Sequence, residues 1–192
     1  MTRSARWFGI GFSAPMVLAI LEGRKTETRR LAADTGPLAR AMPGDFLWVK
    51  EAFRVIDWDV AGRRALIGYM ADGREADVEW PQRLRMGKTG NKLPRFMPRE
   101  ASRIDLSLID RWRERLDAIT DEGAVSEGID LMDRKPHETD AAGTWLAGAL
   151  SRRYFDLWDR INATRGHGRE TEPLVDALRF RLLTVKACPA TA

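Results

Sequence analysis

The chain has 192 residues, a formal net charge of +4 from 32 basic and 28 acidic side chains, 44% hydrophobic and 31% charged residues, one cysteine and two histidines. That length and apolar content fit one ordinary globular domain with a buried core, and the charge balance excludes a polybasic tail protein. Cys188 on its own excludes a disulfide framework and a cysteine-based zinc site. His137 and His167 lie too far apart for a metal-ligand motif, so neither a metal nor another cofactor is expected.

Residues 7–21 follow Arg3 and Arg6 and resemble a signal sequence, but Ser13 and Pro15 interrupt the apolar run and no small-residue cleavage site precedes GRKTETRR. No run approaches the ~18 apolar residues of a membrane span, so a cytoplasmic protein with no membrane partner is expected.

Residues 5–12 read as a short strand. Ser13 is placed to cap a helix over 14–22, with Pro15 in its first turn, Val17, Leu18 and Leu21 as its apolar stripe, and Gly23 at the C-cap. Lys25–Leu31 then reads as a charged, threonine-rich strand. Pro43-Gly44-Asp45 is a type II turn signal that launches a strand over Phe46–Ile56, with Ala65–Met70 as its hairpin partner.

Residues 72–98, with three prolines and three glycines, read as irregular, part of a basic insertion over about 57–98. Ser102–Ile109 resumes strand alternation. Thr120 caps a short helix closed by Gly128, a longer helix spans 141–162, and Leu178–Val185 is the last strand. Strands of mixed spacing with two or three helices predict an α+β class, a small curved sheet or barrel with flanking helices in a single domain over 1–192.

Charge is unevenly placed. Residues 81–115 hold ten basic and four acidic side chains, and residues 116–142 hold two basic and eight acidic. The split fits an anionic-polymer surface beside a region kept away from it, and equally two solvated surfaces that neutralise each other. Gly87-Lys88-Thr89 imitates the end of a phosphate-binding loop, but Gln82 stands where its first glycine belongs. Gly9-x-Gly11 lacks the rest of a dinucleotide fingerprint, and no G-x-S-x-G elbow is present.

One constellation remains. Gly23-Arg24-Lys25-Thr26-Glu27-Thr28-Arg29-Arg30 places a lysine three residues before a threonine at a helix-to-strand junction. A threonine hydroxyl needs a neighbouring base to become a nucleophile, and a desolvated lysine amine can serve. In a regular strand, residues 25 and 28 face opposite sides, so the pair meets only if the chain bends just after Gly23. A solvated edge strand fits the same pattern.

The stretches SAPMVLAILEGRKTETRR, PGDFLWVKEAF, MPREASRIDLSLI, ITDEGAVSEGI and YFDLWDRIN, in that order, resemble the ASCH-domain proteins of the PUA-like superfamily, in particular larger members found in phages and prophages. The likeness touches most of the chain outside the 57–96 insertion, whereas the polar Gly166–Asp176 departs from the tryptophan- and proline-containing segment of larger relatives. The resemblance implies a β-barrel with flanking helices and a cleft suited to RNA or a modified nucleoside. It includes an amidohydrolase acting on N4-acetylcytidine, whose catalytic lysine, threonine and glutamate match Lys25, Thr28 and Glu127. Glu127 also falls at the end of the short helix, where the dipole disfavours a carboxylate, a placement suited to passing a proton.

On that reading Lys25 takes the proton of Thr28, Thr28 attacks the acyl carbonyl, and Glu127 protonates the leaving amine. Arg30 shares the Thr28 face and is a candidate for the oxyanion. Trp48 is placed to stack on a base, an interaction of roughly 1–3 kcal/mol, with Lys50 beside it. The competing readings are a non-catalytic RNA-binding module that uses the basic 81–115 stretch, including Arg99 and Arg103, on phosphates, and a metal-independent ribonuclease using the same cleft.

Overall fold

The computed structural model describes residues 3–32, 36–131 and 136–186, so Cys188 lies outside the described residues. Among these, nine strands and three α-helices succeed one another: β1 (Trp7–Gly11), α1 (Ala14–Leu21), β2 (Glu27–Leu31), β3 (Phe46–Lys50), β4 (Phe53–Asp59), β5 (Arg64–Tyr69), β6 (Glu75–Glu79), β7 (Gly90–Lys92), β8 (Ile104–Arg115), α2 (Asp121–Ser126), α3 (Ala149–Asn162) and β9 (Leu174–Val185). The class is α+β, as expected. The chain divides into two compact units, Met1–Leu21 with Gly44–Leu108 and Arg181–Ala192, and Glu22–Pro43 with Ile109–Phe180.

In the first unit, β1 runs parallel to β3 with Trp7 opposite Phe46, and β3 runs antiparallel to the start of β8 with Phe46 opposite Ser107. Alternation turns Phe8, Ile10, Leu47 and Val49 into the core. Pro43-Gly44-Asp45 makes its turn with Gly44 at φ 88°, and the buried Asp45 carboxylate accepts the Arg6 backbone N–H at 2.9 Å and pairs with the Arg3 guanidinium at 2.6 Å. Helix α1 buries Val17, Ala19 and Ile20 rather than the Val17–Leu18–Leu21 stripe, and Gly23 comes after it at φ 74°.

The strand expected over Phe46–Ile56 is two strands. The chain leaves β3 at Glu51, whose side chain turns inward to meet Arg103, and β4 begins at Phe53 in a different sheet. The 57–98 insertion is not irregular. Strands β6-β5-β4-β7 form a four-stranded antiparallel sheet, with Phe53 opposite Tyr69 and Arg64 opposite Glu79. Ala76, Val78 and Trp80 alternate with Glu75, Asp77 and Glu79, a half-buried strand masked by its acidic outer face. Phe53, Val55, Ala65, Ile67, Tyr69, Ala76, Trp80, Met97 and Ala101 make its core.

In the second unit the later part of β8, the earlier part of β9 and β2 lie in that order, β2 antiparallel to β9 with Thr28 opposite Leu178. Strand β8 runs on to Arg115, further than the apolar pattern reaches, because the buried Asp176 pairs with Arg111 at 2.8 Å and Arg113 at 2.9 Å. Leu31, Leu116, Ile119, Ala124, Leu150, Tyr154, Trp158 and Val175 form the core under α2 and α3. Helix α3 starts at Ala149 rather than 141, since Gly148 before it takes φ 75°. Both ladders are open among the described residues, with β1, β2, β6 and β7 as edge strands, so the α+β class holds and closure into the expected barrel is not seen among them.

Candidate active site in the second unit

Gly23 terminates α1, and β2 does not begin until Glu27. Lys25 therefore sits in a non-strand connection, where the alternation that separates positions 25 and 28 in a regular strand does not apply. The connection is pinned on two sides. Thr26 donates its backbone N–H to the Ser126 carbonyl at 2.8 Å, and its own carbonyl accepts from the Phe180 N–H at 2.8 Å.

This holds Lys25 inside the unit, its side chain 1% exposed. Its ammonium donates to the Glu27 carbonyl at 2.7 Å, the Glu127 carbonyl at 2.8 Å and Glu127 Oε2 at 2.5 Å. Three donors meeting three acceptors describe a protonated lysine at rest. Burial nevertheless pulls its pKa below the ordinary lysine value, with Arg30 and Arg29 adding to the effect and Glu127 opposing it.

Glu127 closes α2. Thr120 caps the start of that helix by accepting the Gly123 N–H at 3.2 Å, and Gly128 leaves it at φ 88°, as the sequence pattern predicts. Because the helix is short, Glu127 becomes its C-cap, and its side chain turns back into the unit. Oε2 takes Lys25, while Oε1 accepts the Arg29 backbone N–H and the Tyr154 hydroxyl, the latter at 3.3 Å. The Arg29 guanidinium stands 3.6 Å away. A buried carboxylate at the C-terminal end of a helix is thus stabilised by two cations and two neutral donors.

Thr28 lies on β2, 3% exposed, and the peptide that leads into it carries the Glu27 carbonyl bound by Lys25. Arg30 shares the Thr28 face by strand alternation, and its burial lowers its pKa while the Glu127 charge opposes that shift. On the opposite face, Arg29 bonds Glu114 at 2.7 Å and Glu27 at 3.3 Å, and Glu27 also takes Arg179 at 2.9 Å. This second ring fixes β2 at the level of Thr28.

Tyr154 is a site residue that sequence reasoning places only in the apolar stripe of the long helix. Burial and the neighbouring Glu127 charge push its hydroxyl well above the ordinary tyrosine value, so it acts as a donor. Its helix is set by Asp121 in the first turn of α2, whose carboxylate caps α3 by accepting the Gly148 N–H at 2.7 Å and the Ser151 N–H at 2.8 Å. The helices that supply Glu127 and Tyr154 are therefore clipped to each other. The only signal in the sequence is a hydroxyl where phenylalanine would have packed as well.

The remaining sequence candidates belong to the first unit. Trp48 is half-buried with Lys50 Nζ 4.8 Å from its ring centroid, and both lie across Gly9, where a Cβ would stand 2.7 Å from each. Arg99 forks onto Asp105 at 2.8 and 3.2 Å and stacks 4.1 Å from the ring of Trp7, which is 44% exposed. Arg103 is fully enclosed, bonding Glu51 at 2.8 and 2.9 Å and Asp72 at 2.8 Å. Its donors are used within the fold, so it braces the unit and does not present itself to a phosphate.

Among the described residues, no cluster of histidine, cysteine and carboxylate side chains could hold a metal ion, and no helix is long and apolar enough to cross a membrane. No family model matches the chain, and no curated protein matches it. Among solved structures, it is similar to an ASCH domain from Lactobacillus crispatus JV V101, with 11% identity over 92% of this chain and 79% of that one at a TM-score of 0.45. It is also similar to a protein of Enterococcus faecalis V583 described under the family model DUF984, with 11% identity over 96% and 79% of the two chains at a TM-score of 0.44.

Proposed function

We propose that the protein is directed at a modified nucleoside or RNA and hydrolyses the N4-acyl amide of an acylated cytidine through Lys25, Thr28 and Glu127. The observation that carries this reading is the buried Lys25–Glu127 contact of 2.5 Å, with the same ammonium held 2.7 Å from the carbonyl of the peptide entering Thr28. The likeness of GRKTETRR and ITDEGAVSEGI to the catalytic stretches of an N4-acetylcytidine amidohydrolase supports the same assignment.

The proton inventory is consistent. Lys25 is charged at rest and cannot act as a base until it loses a proton. Glu127 is the nearest acceptor, and burial of the ammonium lowers the cost of that transfer. The neutral amine then takes the Thr28 hydroxyl proton as Oγ1 attacks the acyl carbonyl, and the protonated Glu127 delivers its proton to the leaving exocyclic nitrogen. Cytidine leaves, the acyl group stays on Thr28, and a water molecule hydrolyses the ester. Arg30, on the Thr28 face, is the candidate for charge on the acyl oxygen.

The test is to incubate wild-type protein and Thr28→Val with N4-acetylcytidine and follow cytidine by chromatography. Valine keeps the branched shape and leaves Lys25 and Glu127 paired. Cytidine from wild type with none from Thr28→Val is the expected result, and none from wild type at high enzyme concentration overturns the reading. A second reading, a non-catalytic RNA-binding module, is favoured by the exposed Trp7 ring stacked with Arg99. It requires RNA affinity that falls steeply with salt, which turnover of a free nucleoside does not.

A further inference from the structure

The insertion, irregular by its sequence pattern, and β4 leading into it border an open-mouthed cavity of about 340 Å³, lined by Phe53, Val55, Trp58, Trp80, Leu84 and Phe96 with Arg85, Gly87 and Lys92. It lies within the first unit and uses none of the residues assigned to the acyl chemistry.

Four features of this cavity point to a ligand. The first is its aromatic wall. Trp58 and Trp80 meet edge to face, with centroids 4.9 Å apart and planes at 87°, and Phe96 at the rim is 55% exposed. Such walls take flat apolar bodies, and an exposed phenylalanine at a cavity edge is surface that a ligand would cover. The second is polar. The indole N–H groups of Trp58 and Trp80 are buried with no acceptor, and Trp80 is 7% exposed. A buried donor without a partner is destabilising, and a ligand bringing acceptors would relieve that cost.

The third feature is charge. Arg85 and Lys92 are both cations, no lining residue is acidic, and neither has an ion-pair partner among the described residues. The fourth is that one wall is preformed. Arg63 Nη2 donates to the carbonyls of Pro81, Gln82 and Leu84 at 3.1, 3.0 and 2.7 Å, fixing the segment that carries Leu84 into the wall. Arg63 itself is held at φ 52°, a left-handed conformation costly for a side-chain-bearing residue and kept up by those bonds and by the Trp80 backbone N–H, which donates to its carbonyl.

We propose that this cavity binds a small flat anion, an aromatic ring system carrying hydrogen-bond acceptors and one negatively charged group. The ring lies among the tryptophans and phenylalanines, its acceptors answer the indole donors, and its charge meets Arg85 and Lys92. A nucleoside monophosphate and an aromatic carboxylate share this chemistry. The Gly87-Lys88-Thr89 stretch that fails as a phosphate loop supplies a bare backbone to the lining, and a Cβ at Gly87 would meet nothing within 4 Å.

That open space makes the test clean. The full chain is titrated with the flat anion 8-anilinonaphthalene-1-sulfonate and, separately, with its neutral counterpart N-phenyl-1-naphthylamine, both followed by fluorescence. Saturable one-site binding of both is expected. The Arg85→Glu/Lys92→Glu variant should weaken the sulfonate about tenfold or more while leaving the neutral probe unchanged. Gly87→Phe, which fills the cavity from an unstrained position, should weaken both, and thermal melts matching wild type establish that the variants fold. Displacement of the sulfonate by uridine 5′-monophosphate or by indole-3-acetate identifies which source supplies the anion. Absence of saturable binding, binding indifferent to the two charge reversals, or displacement by neither competitor overturns the proposal.

Discussion

Arg103–Glu51 in the first unit and Lys25–Glu127 in the second are both cation–carboxylate pairs from which water is excluded, with side-chain exposures of 1% and 1% against 1% and 6%. They differ in what the cation can do. Arg103 meets Glu51 fork to fork, hands its remaining donor to Asp72, and lies 4.1 Å from the Tyr69 ring. Although burial works against its charge, Glu51 and Asp72 hold its proton more firmly than an ordinary arginine would. Lys25 touches Glu127 through one side-chain contact and two carbonyls lie around it, and its proton is held less firmly than usual. Two carboxylates outweigh burial at Arg103 and burial outweighs one at Lys25, and a guanidinium does not release a proton near neutral pH whereas an amine can.

That contrast fails if the two pairs respond alike to being broken. The largest effect is expected for Arg103→Met, which strands Glu51 at 1% exposure. Urea unfolding should register a loss of about 3–5 kcal/mol, mostly restored in Arg103→Met/Glu51→Met, where no buried charge is left alone. Lys25→Met comes next, at about 3 kcal/mol, because Glu127 keeps the Arg29 N–H and the Tyr154 hydroxyl. The same variant should abolish cytidine release, whereas Arg103→Met should leave turnover in proportion to the folded fraction.

Tyr154→Phe is the smallest, about 1 kcal/mol or less at neutral pH, for one long hydrogen bond. Its signature is in alkali. Burial raises the folded-state pKa above the ordinary 10.0, so the folded protein holds this proton where the unfolded chain gives it up. The stability linked to it is intact below about pH 10 and lost as pH rises through the folded value. A denaturation series between neutral pH and pH 11 should show that limb in wild type and a flatter one in Tyr154→Phe.

Much of the second unit's local structure is legible as a string. The resemblance is what singles out Lys25, Thr28 and Glu127 together, while Thr120 and Gly128 mark the ends of the helix that delivers Glu127. The alternation that would separate positions 25 and 28 does not apply because Gly23 delays the strand to Glu27, a boundary shift that local propensity does not resolve. Tyr154 is hidden because a buried hydroxyl and a buried ring share one periodicity. The late start of α3 is hidden as well, since its capping carboxylate comes from Asp121, 27 residues before Gly148. In the first unit, β6 escapes notice because its outward positions are all acidic, and the cavity behind it depends on Arg63 reaching across the chain to residues 81–84.

The partners of β2 are distant in the chain. Lys25 waits for Glu127, 102 residues on, and Glu27 waits for Arg179, 152 residues on. During synthesis the GRKTETRR segment leaves the ribosome before its distant partners, and a nascent chain halted before Leu174 has the lysine and the threonine but lacks β9, the strand that β2 pairs with. The site is thus completed only once β9 has followed the segment that carries the lysine.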